Sequence, residues 1–308
     1  GASLNGVFRH GILAATQNRF VSRGVRRYGM RLGAARFVAG ETLDEAVPIH
    51  RGLNARGLAT NTTLLGEGVR DEATVAEVVR AYEEILDRIH TENLDTNVAL
   101  KLTHLGLDLS EEIAFDNVDR LVRHAASLGN FIRIDMEESA RVDPTLRIFR
   151  RLLEVGHENV GTVLQSALFR TQRDLDDLLP LRPNLRLVKG AYLEPASIAY
   201  ARKADVDRNY VVLAEKMLSE ARYIAIATHD EKIIEHLLTF AEHNGIGRDR
   251  FELQMLYGIR QGLQESLAKR GYRVRIATPY GREWYFYLMR RLAERPANVL
   301  FLVKNVVR

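Results

Sequence analysis

The sequence contains no cysteine at all. This absence excludes disulfide bonds, thiolate nucleophiles and metal centres held by cysteine. Long apolar runs are missing too, because no stretch reaches the roughly 18 apolar residues of a membrane-spanning helix and the N-terminus lacks the apolar core of a secretion signal. We therefore expect a cytoplasmic protein that does not span a membrane.

The sequence also lacks a large excess of one charge. Lys and Arg number 44 and Asp and Glu number 40, which leaves a net charge of +4 over 308 residues. This charge is too small to indicate nucleic-acid binding. One small basic cluster, typical of a solvated helix face, consists of Arg23, Arg26, Arg27 and Arg31. The hydrophobic fraction of 46% is sufficient for the core of one large domain or two smaller ones.

Short apolar runs recur from residue 58 onward, and many of them are rich in β-branched residues. The runs are 58–65, 97–102, 131–136, 161–165, 185–190, 223–228, 251–256 and 273–278. Eight strand–helix units in about 250 residues predict an α/β protein of the (β/α)8, or TIM, barrel class. A doubly wound sheet is the alternative, but the G-x-G-x-x-G loop that usually follows its first strand is absent.

The segments around these runs have helical periodicity. We predict helices over residues 19–31, 43–55, 72–90, 114–128, 144–155, 171–179, 208–220, 230–244, 261–269 and 283–294. The expected N-caps are Asp71, Asp143 and Asp230, and the expected helix ends are Gly129, Gly156, Gly245 and Gly271. We interpret residues 1–50 as an N-terminal helical extension and residues 51–308 as one barrel domain.

Polar residues stand near the ends of the runs, where the active site of a (β/α)8 barrel forms. They are Lys101, Asp135, Gln165, Lys189, Thr228, His229 and Gln254, with Glu67 after the first run and Arg186 within the fifth. A charge inside a barrel is unfavourable unless it is paired. So many polar strand ends together therefore indicate a functional site.

The residue types exclude some chemistries and leave others open. The sequence has no Ser–His pair in a nucleophile elbow and no histidine-rich cluster with metal-ligand spacing. Asp135, Glu137 and Glu138 are a weak candidate for a divalent cation site. Lys101 or Lys189 could form a Schiff base, as in barrel aldolases. A protein that binds an amino acid without turnover is a further interpretation.

The last predicted helix has an unusual pair of adjacent arginines. Tyr287, Arg290, Arg291 and Glu294 are spaced at i, i+3, i+4 and i+7, which places them toward one side of a helix. They are either a solvated face with an Arg290–Glu294 ion pair, or a fork of guanidinium groups that holds a small carboxylate.

Several stretches together resemble the proline dehydrogenase family, including the proline dehydrogenase domain of bifunctional proline utilisation proteins. The stretches occur in the same order as in the family and span residues 64 to 298. They are "LLGE" (64–67), "LKLT" (100–103), "IRIDMEES" (132–139), "VLQSALFRT" (163–171), "LRLVKGAY" (185–192), "ATHD" (227–230), "FELQMLYG" (251–258) and "YFYLMRRLAERPAN" (285–298). The fifth and the last are the most specific.

The resemblance implies a distorted (β/α)8 barrel that binds FAD non-covalently at the carboxyl ends of its strands, without a Rossmann fingerprint. It implies that the last barrel helix covers the flavin and that Arg290 and Arg291 hold the carboxylate of proline. Glu67 and Asp135 are the implied acidic partners of Arg290 and Arg291 respectively. Glu67 is also the implied gate, because breaking its ion pair would open the pocket.

The resemblance assigns further residues to the site. The substrate-binding residues it implies, beyond the two arginines, are Lys101, Asp135, Ala191, Leu256, Tyr287 and Glu294. The flavin-binding residues it implies are Gln165, Arg186, Val188, Lys189, Gly190, Ala191, Thr228, His229 and Gln254. Lys101, Asp135 and Arg186 form the implied catalytic group, with Arg186 as the hydrogen-bond donor near flavin N5. No metal is implied.

The implied reaction is oxidation of L-proline to 1-pyrroline-5-carboxylate, by hydride transfer from proline C5 to flavin N5, as the first step of proline catabolism. Electrons would pass to a quinone, which implies a peripheral contact with the inner face of a membrane. The Arg23–Arg31 cluster and residues 299–307 are the candidate contact segments. A pyrroline-5-carboxylate dehydrogenase is the implied downstream partner.

Two positions depart from the family pattern. Ala277 stands where the family often has a tyrosine two residues before a proline, and Tyr280 follows Pro279 instead. Thr63 replaces a commonly acidic residue. The first departure predicts a substrate pocket that is wider or differently gated.

Overall fold

The centre of the molecule is a closed barrel of parallel strands, in which each strand pairs with the next along the chain and β8 pairs with β1. The computed structural model describes residues 10–12, 14, 18–20, 23–24 and 33–294. The strands are β1 (Ala59–Thr62), β2 (Thr96–Leu100), β3 (Ile132–Ile134), β4 (Val160–Gln165), β5 (Asn184–Val188), β6 (Tyr223–Ala227), β7 (Phe251–Leu256) and β8 (Val274–Ala277). Each strand overlaps one predicted run, and the barrel prediction is confirmed.

Helices surround the barrel and connect its strands. Within the described residues they are α1 (Leu43–Ala55), α2 (Glu72–Thr91), α3 (Glu111–Ser127), α4 (Val142–Glu154), α5 (Thr171–Leu178), α6 (Lys203–Glu220), α7 (Glu231–His243), α8 (Gln261–Lys269) and α9 (Tyr285–Glu294). All the predicted helices from residue 43 onward are present. None of these helices is long and apolar enough to cross a membrane.

Most of the predicted helix ends are confirmed. Asp71 accepts a hydrogen bond from the backbone N–H of Thr74, and Asp230 accepts one from that of Ile233. Asp143 is not an N-cap, because a 3₁₀ turn leads directly into α4 and places Asp143 in its first turn. The four predicted helix-ending glycines all have positive φ: Gly129, Gly156, Gly245 and Gly271.

A second, smaller core fixes the last helix. Trp284, Tyr285, Leu288 and other apolar residues at the start of α9 pack against Phe37 and Ile259. The segment that precedes α1 therefore supports the helix that ends the barrel. The predicted boundary between the N-terminal extension (1–50) and the barrel domain (51–308) falls inside α1. The division into these two parts stays a prediction. The predicted helix 19–31 falls largely outside the described residues, and residues 299–307 fall entirely outside them.

The interior of the barrel is unusually polar. Asn61 donates to Asn97 at 2.5 Å, and Arg275 pairs with Glu252 at 2.7 Å. Arg133 is 2% exposed and donates to the carbonyl oxygens of Thr162 and Asn184 from one terminal nitrogen. Burial, together with the nearby charge of Arg186, lowers the pKa of Arg133 to about 9. Long polar side chains therefore replace the apolar layers that usually fill such a barrel.

Gly161 makes room for the Arg133 side chain. A Cβ at Gly161 would lie 2.6 Å from the carbonyl oxygen of Asn184 and would overlap the Arg133 guanidinium. We expect Gly161→Ala to lower the free energy of unfolding by about 1–3 kcal/mol, as measured by urea denaturation.

Gly52→Ala is the matched control for this substitution. Gly52 lies inside α1 with no atom close to the position of a Cβ, so alanine there should raise stability by about 0.5–1 kcal/mol. Equal stability of Gly161→Ala and the wild type would contradict close packing against Arg133.

Candidate active site

The strand register brings the predicted polar residues to one mouth of the barrel. Lys101 follows β2 directly and Asp135 follows β3, while Gln165 is the last residue of β4. Lys189 follows β5 and Thr228 follows β6. All strands are parallel, so these ends lie around the same opening.

Asp135 is the centre of the charged network at this mouth. Its Oδ2 lies 3.3 Å from the Lys101 ammonium and its Oδ1 lies 2.9 Å from Arg186 Nη1. Burial by itself would raise the pKa of Asp135, but the charges of Lys101 and Arg186 outweigh burial and lower it. Burial would likewise lower the pKa of Lys101, but Asp135 outweighs it and raises that pKa. The site therefore holds a carboxylate between two cations at neutral pH.

Arg186 is held on a second side by Gln254. Arg186 Nε donates to Gln254 Oε1 at 2.6 Å, which links β5 to β7 across the barrel interior. The guanidinium is thus fixed between a carboxylate and an amide. Two bonds to different strands give it one defined plane.

A second group of charges lies beside Lys189. Its ammonium is 2.8 Å from Asp207 Oδ1 on α6 and 3.2 Å from Asp230 Oδ2, the N-cap of α7. The side chain of Thr228 accepts a hydrogen bond from the backbone of Asp230. His229 Nε2 accepts the backbone N–H of Leu256 at 3.0 Å, so in the neutral ring the proton is on Nδ1.

Gly190 opens a space in the rim of the mouth. Its φ is 123°, and a Cβ there would lie 3.2 Å from Ala167 Cβ and 3.4 Å from Gln165 Oε1. The neighbouring residues Val188 and Ala191 are partly exposed. This combination allows a flat ligand to approach the backbone closely.

Glu137 joins two loops of the mouth, and the sequence analysis considered it only as a weak candidate cation ligand. Its carboxylate accepts the Thr103 hydroxyl at 2.5 Å and the Thr103 backbone N–H at 3.2 Å. Its carbonyl oxygen accepts from Gln165 Nε2 at 3.3 Å. Burial raises the pKa of Glu137. The loops after β2, β3 and β4 are therefore held together by one residue.

These contacts argue against a cation site at the three acidic residues of this loop. Asp135 is bound to two cations and Glu137 to Thr103, while Glu138 pairs with Arg141. Across the described residues, no group of three His, Asp or Glu side chains is arranged to hold a metal ion.

The two arginines of α9 point to different partners, because adjacent residues of a helix are about 100° apart. Arg291 is buried, pairs with Glu294 at 2.6 Å and lies over the Tyr287 ring at 4.7 Å. Arg290 is partly exposed and lies over the ring of Tyr192 at 5.2 Å. The Arg290–Glu294 ion pair of the solvated-face alternative is not formed, because Glu294 pairs with Arg291 instead.

Both implied acidic partners of the arginines also differ from the expectation. Within the described part of the chain Glu67 is exposed and forms no ion pair with Arg290. Asp135 binds Lys101 and Arg186, whereas the ion pair of Arg291 is with Glu294. The physical reason is proximity, since Asp135 at the end of β3 already lies beside Lys101 at the end of the adjacent β2 and beside Arg186 on β5.

Tyr192 is a site residue that the sequence analysis missed, although it ends the stretch "LRLVKGAY". Its hydroxyl is influenced by the charges of Lys101 and Arg290, and burial raises its pKa. Arg290, Tyr192 and Lys101 therefore lie close together. Leu256 is in register with Ala277 across β7 and β8, and Tyr280 is buried in the main core and bridged to Leu64.

Residues 48–304 match the family model described as proline dehydrogenase. A proline dehydrogenase of Deinococcus radiodurans is 43% identical over 306 residues, which cover 98% of this chain and 98% of that protein. The chain belongs to the proline dehydrogenase family. The bifunctional protein PutA of Escherichia coli is 27% identical over 335 residues, which cover 94% of this chain and 25% of that protein.

A solved structure shares the fold of this family member. The crystal structure of proline utilization A from Bdellovibrio bacteriovorus, inactivated by N-propargylglycine, superposes with a TM-score of 0.81 at 24% identity. The match covers 88% of this chain and 34% of that chain, so this chain spans about a third of its length. The likeness shows the fold, a barrel of the same type.

His104, at the rim of the mouth, should make the free energy of unfolding depend on pH. It is 5% exposed beside Gly66, and burial together with the charge of Lys101 lowers its pKa to about 4. The unfolded chain binds this proton below about pH 6.5 and the folded chain does not, so stability falls as the pH falls from about 6.5 to 4. The slope from this histidine is about 1.4 kcal/mol per pH unit.

We expect His104→Gln to remove that slope from the free energy of unfolding, measured by urea denaturation between pH 4.5 and 7. The exposed His243→Gln is the control and should keep the wild-type slope. A slope that is the same in both variants would show that His104 titrates normally in the folded protein.

Proposed function

We propose that this chain is an FAD-dependent proline dehydrogenase that oxidises L-proline to 1-pyrroline-5-carboxylate. Membership of the family supports the substrate. The observation that carries the proposal is the Lys101–Asp135–Arg186 network at the mouth of the barrel. It presents fixed charges of both signs, which suit a small zwitterion.

The residues at the mouth fit a flavin. Gly190 permits close approach to the backbone, and Lys189 and Arg186 supply positive charge near it. The proposed flavin-binding residues are Gln165, Arg186, Val188, Lys189, Gly190, Ala191, Thr228, His229 and Gln254. They come from β4, β5, β6 and β7 or from the residues that directly follow these strands.

Proline would be held by residues on the opposite side of the mouth. Arg290 and Arg291 are the proposed ligands of its carboxylate, and an Arg–carboxylate bond in a buried site contributes about 1.5–3 kcal/mol. The ring of proline would lie among three partly exposed side chains, Ala191, Leu256 and Tyr287. Lys101 and Glu294 would supply charges around it. Tyr192 joins this group because Arg290 lies over its ring.

When bound, the flavin would accept a hydride from proline C5 at its N5 and would pass electrons to a quinone. The protein contributes orientation and fixed charge in a water-poor site. Lys101 already carries a proton and Asp135 has a lowered pKa, so neither is a strong base. Water is the proposed acceptor of the proton that the proline nitrogen loses.

The Schiff-base alternative is disfavoured by the same charges. A Schiff base forms from a neutral amine, and a raised pKa keeps Lys101 protonated at neutral pH. Lys189 is engaged in two ion pairs, at 2.8 Å with Asp207 and at 3.2 Å with Asp230. Both lysines are thus suited to electrostatic roles.

A visible spectrum of the purified protein tests the cofactor and the substrate together. We expect a yellow protein with a flavin band that bleaches when L-proline is added without oxygen. A flavin band that does not bleach would support FAD as the cofactor but contradict L-proline as the substrate. A colourless protein that FAD does not reconstitute would overturn the proposal and favour the non-catalytic amino-acid-binding interpretation.

Arg290→Met tests the carboxylate clamp. Loss of one charge-assisted hydrogen bond should raise the KM for proline about tenfold to a hundredfold. The fold should be little affected, because Arg290 is partly exposed. Arg282→Met, at an exposed arginine of the preceding loop, should leave KM unchanged. Equal KM values in the two variants would show that Arg290 does not bind the carboxylate of proline.

Glu67 remains the proposed gate, through a pair with Arg290 that would form as the site closes. Glu67→Ala should raise the KM for proline, as measured by steady-state kinetics, because the closed state loses its ion pair. The exposed Glu77→Ala in α2 is the control. An unchanged KM in Glu67→Ala would contradict the proposed gating role of Glu67.

A quinone is the proposed electron acceptor, and a peripheral membrane contact and a downstream pyrroline-5-carboxylate dehydrogenase are the proposed partners. These proposals rest on the family resemblance alone. Reduction of a soluble quinone analogue by the proline-reduced protein would test the first of them, and failure of that electron transfer would count against it.

A further inference from the structure

A buried carboxylate that is not itself among the proposed site residues lies below the proposed site and contacts one of them, Gln254. Glu252 on β7 is 4% exposed. Its Oε2 accepts from Arg275 Nε at 2.7 Å and from Gln254 Nε2 at 2.9 Å, and its Oε1 accepts from the Tyr223 hydroxyl at 2.8 Å. The charge of Glu252 is thus fully engaged inside the barrel.

The strand register places Glu252 in line with Arg186. Arg186 of β5 pairs in register with Ala225 of β6, and Ala225 pairs with Glu252 of β7. Gln254 is one row nearer the mouth, in register with Ala227. Two alanines on β6 leave space for side chains of β5 and β7 to meet above them. The Arg186–Gln254–Glu252 contacts depend on this space.

The chemistry of the neighbours allows the Gln254 amide only one orientation. A carboxylate only accepts hydrogen bonds, so the amide nitrogen must face Glu252. A guanidinium only donates, so the amide oxygen must face Arg186. Because the Gln254 amide nitrogen donates to Glu252, its oxygen faces Arg186 and accepts from it.

This orientation decides which nitrogens of Arg186 are engaged. Nε is bound to Gln254 and Nη1 to Asp135. Within the described residues, Nη2 has no hydrogen-bond partner, and the position of Nη2 follows from the other two bonds. A flipped amide would present N–H to N–H, which would displace the guanidinium.

We propose that Glu252 is a positioning residue that orients Arg186 through the amide of Gln254. The inference rests on the proposed function, in which Arg186 is the donor near flavin N5. Glu252 itself contacts neither substrate nor cofactor. Its pKa agrees with this role, since burial would raise it but Arg275 and the three hydrogen bonds outweigh burial and lower it.

The test separates hydrogen-bond geometry from charge. Glu252→Met with Arg275→Met removes the acceptor without leaving a buried cation unpaired. Gln254→Met removes the intermediate amide and keeps the Glu252–Arg275 pair. Glu252→Gln removes the charge while its remaining oxygen can still accept from Gln254 and Arg275, and its new NH2 group can donate to the Tyr223 hydroxyl oxygen. Tyr223→Phe is the control, since it removes a bond to Glu252 on the side away from Gln254.

The first readout is the Arg186 Nε–H resonance in protein labelled with ¹⁵N-arginine, assigned by its loss in Arg186→Lys. Its hydrogen exchange should be about tenfold faster in the Met double variant and in Gln254→Met, because one hydrogen bond is lost. In Glu252→Gln and Tyr223→Phe it should equal the wild type. In the flavin-loaded enzyme kcat should fall about tenfold to a hundredfold with little change in KM, in the first two variants only.

Two results would overturn the inference. Wild-type exchange and kcat in the Met double variant would show that Arg186 needs no support from Glu252. Equal loss in Glu252→Gln and the Met double variant would show that charge, rather than the orientation of Gln254, is what matters. If proline fails to reduce the wild-type flavin, the proposed function fails, while the Arg186 resonance still decides the positioning role.

Discussion

The bridge that Asp135 makes between Lys101 and Arg186 is the interaction on which the rest of the site depends. Either cation alone would be strongly unfavourable inside a barrel. The carboxylate is placed by the sheet, since the backbone N–H of Asp135 donates to the carbonyl of Leu100 at 2.9 Å just beyond the paired strands. Lys101 follows β2, Asp135 follows β3 and Arg186 lies on β5. Because these three strands contribute to one bridge, the positions of Lys101 and Arg186 follow from the strand register. The amide of Gln254 and the carboxylate of Glu252 then extend the same network into the interior.

The charges inside the described barrel do not balance. Within the strands, three cations, Arg133, Arg186 and Arg275, face one carboxylate, Glu252. At the mouth, the charged residues include Lys101, Lys189, Asp135, Glu137, Asp207 and Asp230. Small residues make this interior sterically possible, since Gly161 makes room for Arg133 and the two alanines of β6 make room for Arg186.

Local features of the chain were predictable, and contacts between distant side chains were not. Every strand was visible as a short apolar run because a parallel strand buried on both faces needs little else. Asp71 and Asp230 were recognisable as N-caps because a cap bonds within three residues of itself. The N-cap prediction at Asp143 was wrong because the helix begins two residues earlier, directly after a 3₁₀ turn. The pairing of Arg291 with Asp135 came from the resemblance to the family, and in the structure both residues have other partners.

The sequence by itself determined the barrel, the polar residues at its mouth and the family, because these depend on periodicity and on ordered motifs. Only the tertiary structure decided which charges meet. Tyr192 lies under Arg290 because the loop after β5 turns back toward α9, and no local pattern encodes that approach. Asp207 reaches Lys189 from α6, eighteen residues along the chain, for the same reason. An ion pair requires two side chains within about 4 Å, and the closed barrel sets that distance through register and strand order rather than through neighbouring residues.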